Sequence, residues 1–182
     1  VAEDALTGEK RTGLKTGDSG EVTWTFDVQM SGLYTLSVLY YNEPGSGNNI
    51  ERSLRIDGES QYVDANNLVF FRTWQDKGEK QYTADRGNEI RRSQEEVSVW
   101  SEVLLRATTG YHDADLLFYL SAGVHTLTFK SIREPMVIGS MTFWNPEEEA
   151  AYAEALAAYR AEGASNADSS MNRKVQGEDA VL

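Results

Sequence analysis

Apolar and polar residues alternate along much of the chain, and the clearest example is Glu21–Asn42. Every second residue is apolar or aromatic in 22–28 and again in 34–40. Such alternation places successive side chains on opposite faces of a β-strand. The connecting residues Gln29–Gly32 end in a glycine, which adopts the positive φ of a turn at little cost. The pattern predicts a β-hairpin over Glu21–Asn42, with one apolar face that needs a second layer to cover it.

Further strands are predicted on both sides of this hairpin. Val1–Leu6 precedes it, and Arg52–Ile56 follows it with the same alternation. Asp57-Gly58 is a strong signal for a two-residue hairpin turn, from which the chain is expected to return through Gln61–Val63. Later strands are predicted around Val97–Val99, Val103–Leu105, Leu116–Leu120, His125–Phe129 and Met136–Phe143.

About eight such strands, separated by turn residues and with no helix among them, predict the fold class. We expect residues 1–144 to form an all-β, two-sheet antiparallel β-sandwich of the jelly-roll or immunoglobulin-like kind. Trp24 lies on the apolar side of its strand, so we expect it in the core. His125 lies on an apolar strand face, which predicts a buried, hydrogen-bonded histidine rather than a metal ligand.

A helix is predicted over residues 145–163, directly after the last strand. Asn145 suits the helix cap, Pro146 suits the first helical position, and the three glutamates that follow suit the positive end of the helix dipole. We expect this helix to pack outside the sandwich, with Trp144 between strand and helix. Apolar residues recur at helical spacing at Tyr152, Leu156 and Tyr159.

Residues 164–182 are predicted to be a linker followed by the start of another module. Residues 164–173 are small and polar, which is typical of linkers. Val175–Leu182 contains the tripeptide Glu-Asp-Ala, which also occurs in Val1–Leu6. This repeat suggests that the chain continues into a second sandwich, so further domains of the same polypeptide are expected partners.

The segment 64–115 interrupts the regular alternation, because it is long, charged and punctuated by aromatic residues. Long loops in compact domains are usually functional or disordered. Proteins bind sugars with aromatic rings and with planar polar groups that reach two adjacent hydroxyls. This segment is therefore the candidate carbohydrate-binding surface. The candidate stacking rings are Trp74, Trp100 and Tyr111, and the candidate hydroxyl partners are Arg72, Asp76, Asn88, Glu89 and Gln94.

An alternative interpretation of the same segment is purely structural. In that case the loops fold on themselves, and Arg72 and the neighbouring carboxylates form internal ion pairs. A single sequence does not separate the two interpretations.

Composition excludes several classes of partner. The net charge is −12 and there is no run of basic residues, so neither nucleic acid nor an anionic membrane surface is an expected partner. No stretch of about 18 apolar residues is present, so we expect no membrane insertion. The chain has no cysteine, which excludes disulfides and thiolate metal sites. His112 and His125 are the only histidines, so a histidine metal cluster is not expected.

A series of short motifs follows one another along the chain. They are an opening Ala-Glu-Asp-Ala, the two alternating strands of 22–28 and 31–40, Leu-x-Ile-Asp-Gly at 54–58, Ala-Gly-x-His-Thr-Leu-x-Phe at 122–129 and the apolar strand 136–143. Together these motifs cover about half of the chain. They resemble carbohydrate-binding modules of the family-6 and family-35 type, within the galactose-binding-like jelly rolls. The whole is also similar to modules attached to extracellular solute-binding proteins of Gram-positive carbohydrate transporters.

The resemblance implies a non-catalytic module that binds an oligosaccharide or polysaccharide, outside the cell or at its surface. It also implies a structural calcium ion, for which Glu3 is the matching carboxylate. The family's second carboxylate falls at Ile138–Ser140, where this chain has none, so weaker calcium binding is expected. The segment 64–115 is longer than such modules carry there, so sugar specificity does not transfer from the family.

Catalysis is not expected. Glycosidases need two carboxylates that flank the scissile bond, but a chain this rich in acidic residues offers carboxylate pairs through composition alone. No nucleophile elbow, zinc-site spacing or phosphate-binding loop is present. A further alternative is a structural or protein-interaction spacer module, which predicts no exposed ring beside free polar groups.

Overall fold

The computed structural model describes residues 1–107, 114–146 and 152–165. The chain divides into two units, Val1–Pro146 and Glu147–Leu182. In the described residues, the first unit contains every strand and the second contains the single α-helix, α1 (Tyr152–Ala161). The predicted all-β sandwich with one C-terminal helix is therefore confirmed. In the described part of the chain, no helix is long and apolar enough to cross a membrane.

The strands of the first unit are numbered in chain order, and a short 3-10 helix at Asp64–Asn66 separates β6 from β7. They are β1 (Ala2–Glu3), β2 (Lys10–Arg11), β3 (Leu14–Thr16), β4 (Glu21–Val28), β5 (Gly32–Tyr41), β6 (Ile50–Ile56), β7 (Leu68–Phe70), β8 (Thr73–Asp76), β9 (Gln81–Tyr82), β10 (Glu89–Ile90), β11 (Gln94–Val97), β12 (Trp100–Leu104), β13 (Phe118–Leu120), β14 (Gly123–Arg133) and β15 (Met136–Trp144).

Two antiparallel sheets form the sandwich. The strand order is β4-β14-β6-β7 in one sheet and β12-β5-β15-β3 in the other, where β13 also pairs with β5. Alternate side chains of both sheets point inward and form one core, as the period of two requires. Fully buried members from both sheets include Leu36, Leu54, Phe70, Phe118 and Phe129.

The predicted hairpin over Glu21–Asn42 is wrong, although both of its strands exist. Among the described residues β4 pairs with β14 alone, whereas β5 pairs with β12, β13 and β15. The two strands therefore lie in different sheets, and their apolar faces meet in the core. Alternation specifies which face of a strand is buried, but a hairpin and a crossing between sheets satisfy it equally well.

The predicted turn at Asp57-Gly58 is present, with φ of 53° and 82° at its two residues. Ile56 and Glu59 exchange both backbone hydrogen bonds across it, at 2.9 and 3.0 Å. The strand that returns alongside β6 is β7 and not Gln61–Val63, so that part of the prediction is wrong. Positive φ is a local requirement that the sequence reveals, whereas the partner of β6 depends on the path of the chain after the turn.

Trp24 and Trp144 occupy different surroundings. Trp24 is partly buried and packs edge-to-face on Phe129, with ring centroids 6.1 Å apart, which confirms its assignment to the core. Trp144 is 57% exposed, and its indole N–H donates to Ser37 Oγ at 3.4 Å. Its contact with the helix stays a prediction. The helix ends at Ala161, and Gly163, the residue predicted to end it, follows two residues later with a φ of 93°.

His125 is buried and hydrogen-bonded, as predicted. Its Nδ1 lies 2.6 Å from Asp57 Oδ2, and its Nε2 lies 2.8 Å from the carbonyl oxygen of Ser121. These two contacts raise the pKa of His125 above its ordinary value. The backbone N–H of Thr126, together with His125, lowers the pKa of Asp57. The pair links the Asp57-Gly58 turn to β14.

The segment 64–115 is not one long loop, because it contains six short strands, β7 to β12. At its two ends β7 joins one sheet and β12 joins the other. The strands predicted near Val97 and Val103 are confirmed as β11 and β12. Between β7 and β12, residues Thr73–Val97 form a two-stranded ribbon whose strands pair with each other.

Candidate functional site

The ribbon Thr73–Val97 contains two successive ladders. At its base β8 pairs with β11, which places Trp74 opposite Glu96 and Asp76 opposite Gln94. Towards the tip, β9 pairs with β10. Almost every residue between these base pairs and the tip is exposed, so both faces of the ribbon meet solvent. A two-stranded ribbon has no second layer, so its side chains are accessible to other molecules.

The base of the ribbon is anchored by Arg72, whose side chain is completely buried. The guanidinium forms ion pairs with Glu96 and, at 2.7 Å, with Glu134. It also donates to the backbone carbonyl oxygens of Glu43 at 2.7 Å and Asn48 at 2.6 Å. Arg72 therefore lies in a cage of oxygen atoms and offers no surface to a ligand. Arg72 therefore follows the structural interpretation of this segment, in which it forms internal ion pairs. We no longer count Arg72 as a hydroxyl partner for a sugar.

Glu134 holds the other side of this cage. Its carboxylate accepts hydrogen bonds from the backbone N–H of Ser46 at 2.9 Å and from the side-chain amide of Asn48 at 3.1 Å. Desolvation by burial favours a raised pKa, but these donors and Arg72 outweigh it and hold the pKa of Glu134 below its ordinary value. Glu134 also has a φ of 64°, which is rare for a residue with a side chain. Its side-chain bonds thus fix the crossing from β14 to β15.

One face of the ribbon brings a ring and three planar polar groups together. Trp74 is 45% exposed, and a Cβ at Gly47 would lie 3.6 Å from the far edge of its ring. On the same face Asp76 Oδ2 lies 2.5 Å from Arg92 Nη2, and its Oδ1 lies 3.2 Å from Gln94 Nε2. We call Trp74, Asp76, Arg92 and Gln94 the Trp74 face.

Three of the predicted site residues meet on this face, and one member was not predicted. Trp74, Asp76 and Gln94 share it because residues two apart in a strand, and residues opposite each other in a ladder, point the same way. Arg92 was not singled out from the sequence. The signal that could have found it is its place two residues before Gln94, which puts it on the same side of an extended strand.

Trp100 is packed instead of being presented to solvent. Its indole N–H donates to the carbonyl oxygen of Ala2 at 3.2 Å, and its backbone N–H donates to Asp4 Oδ2 at 2.8 Å. Its ring lies 5.4 Å from that of Tyr41, and a Cβ at Gly139 would lie 2.8 Å from it. Trp100 therefore fastens the N-terminal segment to the sheet, and it is not available as a second stacking ring.

Asn88 and Glu89 lie at the tip of the ribbon, away from the Trp74 face. The backbone N–H of Asn88 donates to Thr83 Oγ1 at 3.1 Å, and Glu89 lies 3.4 Å from Lys80. Tyr82, opposite Glu89 in the ladder, is 58% exposed. The last predicted residue, Tyr111, lies outside the described residues.

Glu3 is exposed and forms an ion pair with Lys10 at 3.1 Å. Its neighbour Asp4 is buried, and its carboxylate accepts from the backbone N–H groups of Leu6 at 3.0 Å and Thr7 at 2.8 Å. In the described residues, no group of three or more histidine, cysteine, aspartate or glutamate side chains is placed to hold a metal ion. A calcium ion beside Glu3 stays an expectation from the resemblance.

A separate cleft of about 650 Å³ opens at one edge of the sandwich, between β4 and the second half of β15. We call it the edge cleft. Among the described residues it lies between the unpaired edges of β4 and β15, and the polar residues that line it are Thr12, Thr25 and Ser140. Its apolar walls include Leu14, Trp24, Phe26, Ile138, Met141 and Phe143.

Comparisons with family models and with curated proteins give no match, so the function is argued from the fold and from the geometry of the site. No protein-family model matches the chain, and no curated protein matches it either.

Proposed function

We propose that this chain is a non-catalytic carbohydrate-binding module whose binding surface is the Trp74 face. The observation that carries the proposal is the half-exposed indole of Trp74 on the same ribbon face as a carboxylate, a guanidinium and an amide. An aromatic face stacks on the C–H face of a sugar ring, and planar polar groups bond neighbouring hydroxyls. The Trp74 face combines both kinds of group within one ladder.

The polar side chains of the Trp74 face can exchange hydrogen-bond partners at little cost in free energy. Asp76 pairs with Arg92 at a site where their side chains are 40% and 24% exposed. Exposed ion pairs are worth only about 0–1 kcal/mol, so hydroxyls can share or replace this contact at little cost. The ring, by contrast, is positioned by the rigid base of the ribbon, where Arg72 is caged. Preorganisation of this kind limits the entropy lost on binding.

The same contacts support binding over catalysis. Glycoside hydrolysis needs two carboxylates, one of which is held protonated or serves as a nucleophile. Glu96 lies opposite Trp74, but it is engaged by the buried Arg72 and by the amide of Asn42 at 3.1 Å. Asp76 is engaged by Arg92. Both carboxylates are therefore held in ion pairs with arginine side chains.

We further propose the setting that the family resemblance implies. The module belongs to a larger extracellular or cell-surface bacterial protein, and its ligand is an oligosaccharide or polysaccharide. A role in feeding a carbohydrate transporter fits the similarity to modules of solute-binding proteins. A structural or protein-interaction spacer is the alternative function.

A glycan array on the purified chain, followed by calorimetric titration of the best ligand, tests the proposal. Trp74→Ala should weaken binding by about 1–3 kcal/mol, by analogy with the loss of a base-stacking ring. Its stability should stay within about 0.5 kcal/mol of the wild type, since the ring is half-exposed. The matched control is Trp144→Ala, which removes an exposed indole from the body of the sandwich and should leave sugar binding unchanged.

Two results would contradict the proposal. If no glycan binds, the spacer function is favoured. If a glycan binds and Trp74→Ala and Trp144→Ala bind it equally well, the module binds sugar through another surface.

A further inference from the structure

The edge cleft lies where the sandwich lacks part of a strand. Along the outer side of β15, residues Met136–Ile138 pair with β3. The chain enters this position only at Gly13, just before β3, where a Cβ would lie 2.5 Å from the carbonyl oxygen of Ile138. Beyond that point, Gly139–Trp144 have no ladder partner on this side among the described residues. Six residues of β15, roughly 20 Å of strand edge, therefore have no neighbouring strand on the side where β3 pairs with the first part of β15. We call this vacant strand position the open lane.

The core beneath this open lane is incompletely covered. Leu127 and Phe129 of β14 are almost fully buried, at 1% and 2% exposure. The inward-facing residues beside the lane are only half-buried, even though they alternate in the same way: Trp24 and Phe26 of β4, and Met141 and Phe143 of β15. An added strand would place its own inward side chains on these four residues and complete the layer.

The lining of the edge cleft indicates what kind of segment fits. No charged side chain lines it, although charged residues make up 25% of the chain. The polar residues that line it are Thr12, Thr25 and Ser140, and no residue with a side-chain amide, carboxylate or guanidinium lines it. A sugar would find few bidentate partners here, whereas an uncharged strand needs only the backbone edge and an apolar floor.

We propose that the edge cleft binds an extended, uncharged peptide strand, which pairs with the free edge of β15 over Gly139–Trp144. Its backbone continues the sheet in the lane of β3, and its alternate apolar side chains cover Trp24, Phe26, Met141 and Phe143. This is β-strand addition, in which main-chain hydrogen bonds supply affinity and alternate side chains supply specificity. The proposal goes beyond sugar binding, because it uses a different surface and a different class of ligand.

The other edge of the cleft, that of β4, is a poor site for pairing with a second copy of this chain. Antiparallel pairing of two β4 strands about Trp24 would place Glu21 of one copy opposite Asp27 of the other. Both side chains point to solvent on the same face, and like charges directly opposite each other are destabilising. The exposed edge of β4 is therefore protected from self-pairing, which is a common use of charge at sheet edges.

The test uses a synthetic, end-capped and uncharged peptide with three alternating Thr-Val pairs between terminal serines, added to the full chain. Tryptophan fluorescence reports binding, because Trp24 lines the cleft. Hydrogen exchange, read by mass spectrometry, should show slower exchange within Gly139–Trp144 when the peptide is present. The matched peptide carries N-methyl groups on its central amides, which removes backbone donors and should weaken binding roughly tenfold or more.

Two protein variants locate the site. Met141→Asp places a charge on the floor of the cleft and should weaken peptide binding roughly tenfold or more, since burial of an unpaired charge is costly. Thr142→Asp makes the same change on the solvent-facing side of the same strand and should bind normally. Trp74→Ala should also bind the peptide normally, so failure here and failure of sugar binding are distinguishable.

Several outcomes would overturn the proposal. Equal binding of the N-methylated peptide would show that no ladder forms, and no protection within Gly139–Trp144 would show that the peptide binds elsewhere. A glycan that slows hydrogen exchange within Gly139–Trp144 when the peptide does not would make the cleft a sugar site. Dimers that form through this edge without peptide would assign it to a second copy. Should Met141→Asp fail to fold, the exchange data on the wild type decide the matter.

Discussion

The ribbon Thr73–Val97 and the sandwich body are both antiparallel β-structure, yet they rely on different interactions. In the body, two sheets bury alternate side chains against each other, and residues such as Leu36 and Phe118 are almost inaccessible. The ribbon has one layer and exposes most of its residues. Strand pairing alone gives little stability in water, so the ribbon depends on its base. This division leaves the ribbon free to carry a binding surface while the body carries the fold.

The junction between the two regions is polar and buried. Arg72 connects Glu96 of the ribbon with Glu134 of the body. Asn42 adds a second connection, since its side chain bonds to the carbonyl oxygen of Val97 at 2.9 Å and to the N–H of Val99 at 2.9 Å. Directional bonds at this point set the angle at which the ribbon leaves the sheet, which apolar packing alone would specify less sharply.

The largest expected effect comes from breaking this junction. Arg72→Met should lower the free energy of unfolding by about 3–5 kcal/mol, because Glu96 and Glu134 lose the cation that compensates their burial. Urea unfolding at neutral pH measures the loss. The control is Arg92→Met, which removes an exposed ribbon ion pair and should cost about 0–1 kcal/mol. Equal losses in the two variants would contradict the contrast between junction and ribbon.

The next effect separates two tryptophans that looked alike in the sequence. Trp100→Ala should cost about 2–4 kcal/mol, since it removes a ring packed on Tyr41 and the indole bond to Ala2. Trp74→Ala should change stability by no more than about 0.5 kcal/mol. Thermal unfolding of the two variants side by side checks this. A stable Trp100→Ala protein would mean that the N-terminal segment is not held by this ring.

A smaller, pH-dependent effect belongs to the body. The raised pKa of His125 contributes stability that is complete below its unfolded value near 6.5 and is lost as pH rises through the folded pKa. The lowered pKa of Asp57 contributes stability that is complete above about 3.9 and is lost as pH falls through its folded value. We therefore expect the pair to stabilise most between about pH 4 and 6.5.

The variant His125→Phe isolates this contribution. Its free energy of unfolding should be compared with that of the wild type at about pH 5 and about pH 9. The advantage of the wild type should shrink at the higher pH, where the imidazolium loses its proton. A difference that does not change with pH would show that the histidine acts by packing alone.

The smallest expected effect is removal of the outer ribbon. Asp76 and Gln94 lie directly opposite each other, so residues 77–93 can be replaced by Asn-Gly as a two-residue turn. The free energy of unfolding should change by no more than about 0.5 kcal/mol, because these residues bury little surface. Urea unfolding checks this, and a large loss would show that the tip stabilises the body. The shortened protein retains Trp74, Asp76 and Gln94 but loses Arg92, so sugar affinity should fall only partly.

Much of the strand content could be predicted from the chain itself. Period-two alternation identified β4, β5, β6, β14 and β15 and the faces that they bury, because it reports which side of a strand is apolar. The Asp57-Gly58 turn was also predictable, because the tolerance of a positive φ is a property of the individual residues at the turn. The exposure of Trp74, Asp76 and Gln94 was also predictable, because their segment departs from core periodicity.

The tertiary structure decided what those elements do. Alternation does not specify partners, so only the fold placed β4 and β5 in opposite sheets. The roles of Arg72 and Trp100 depend on Glu134 and Ala2, which lie far away in the chain and reach them through sheet pairing. Likewise, the register of the ribbon joined Arg92 to Asp76, and the edge cleft is open because β3 begins only after Gly13. Local periodicity depends on residues that are neighbours in sequence, whereas burial, ion pairs and open edges arise from contacts between residues distant in sequence.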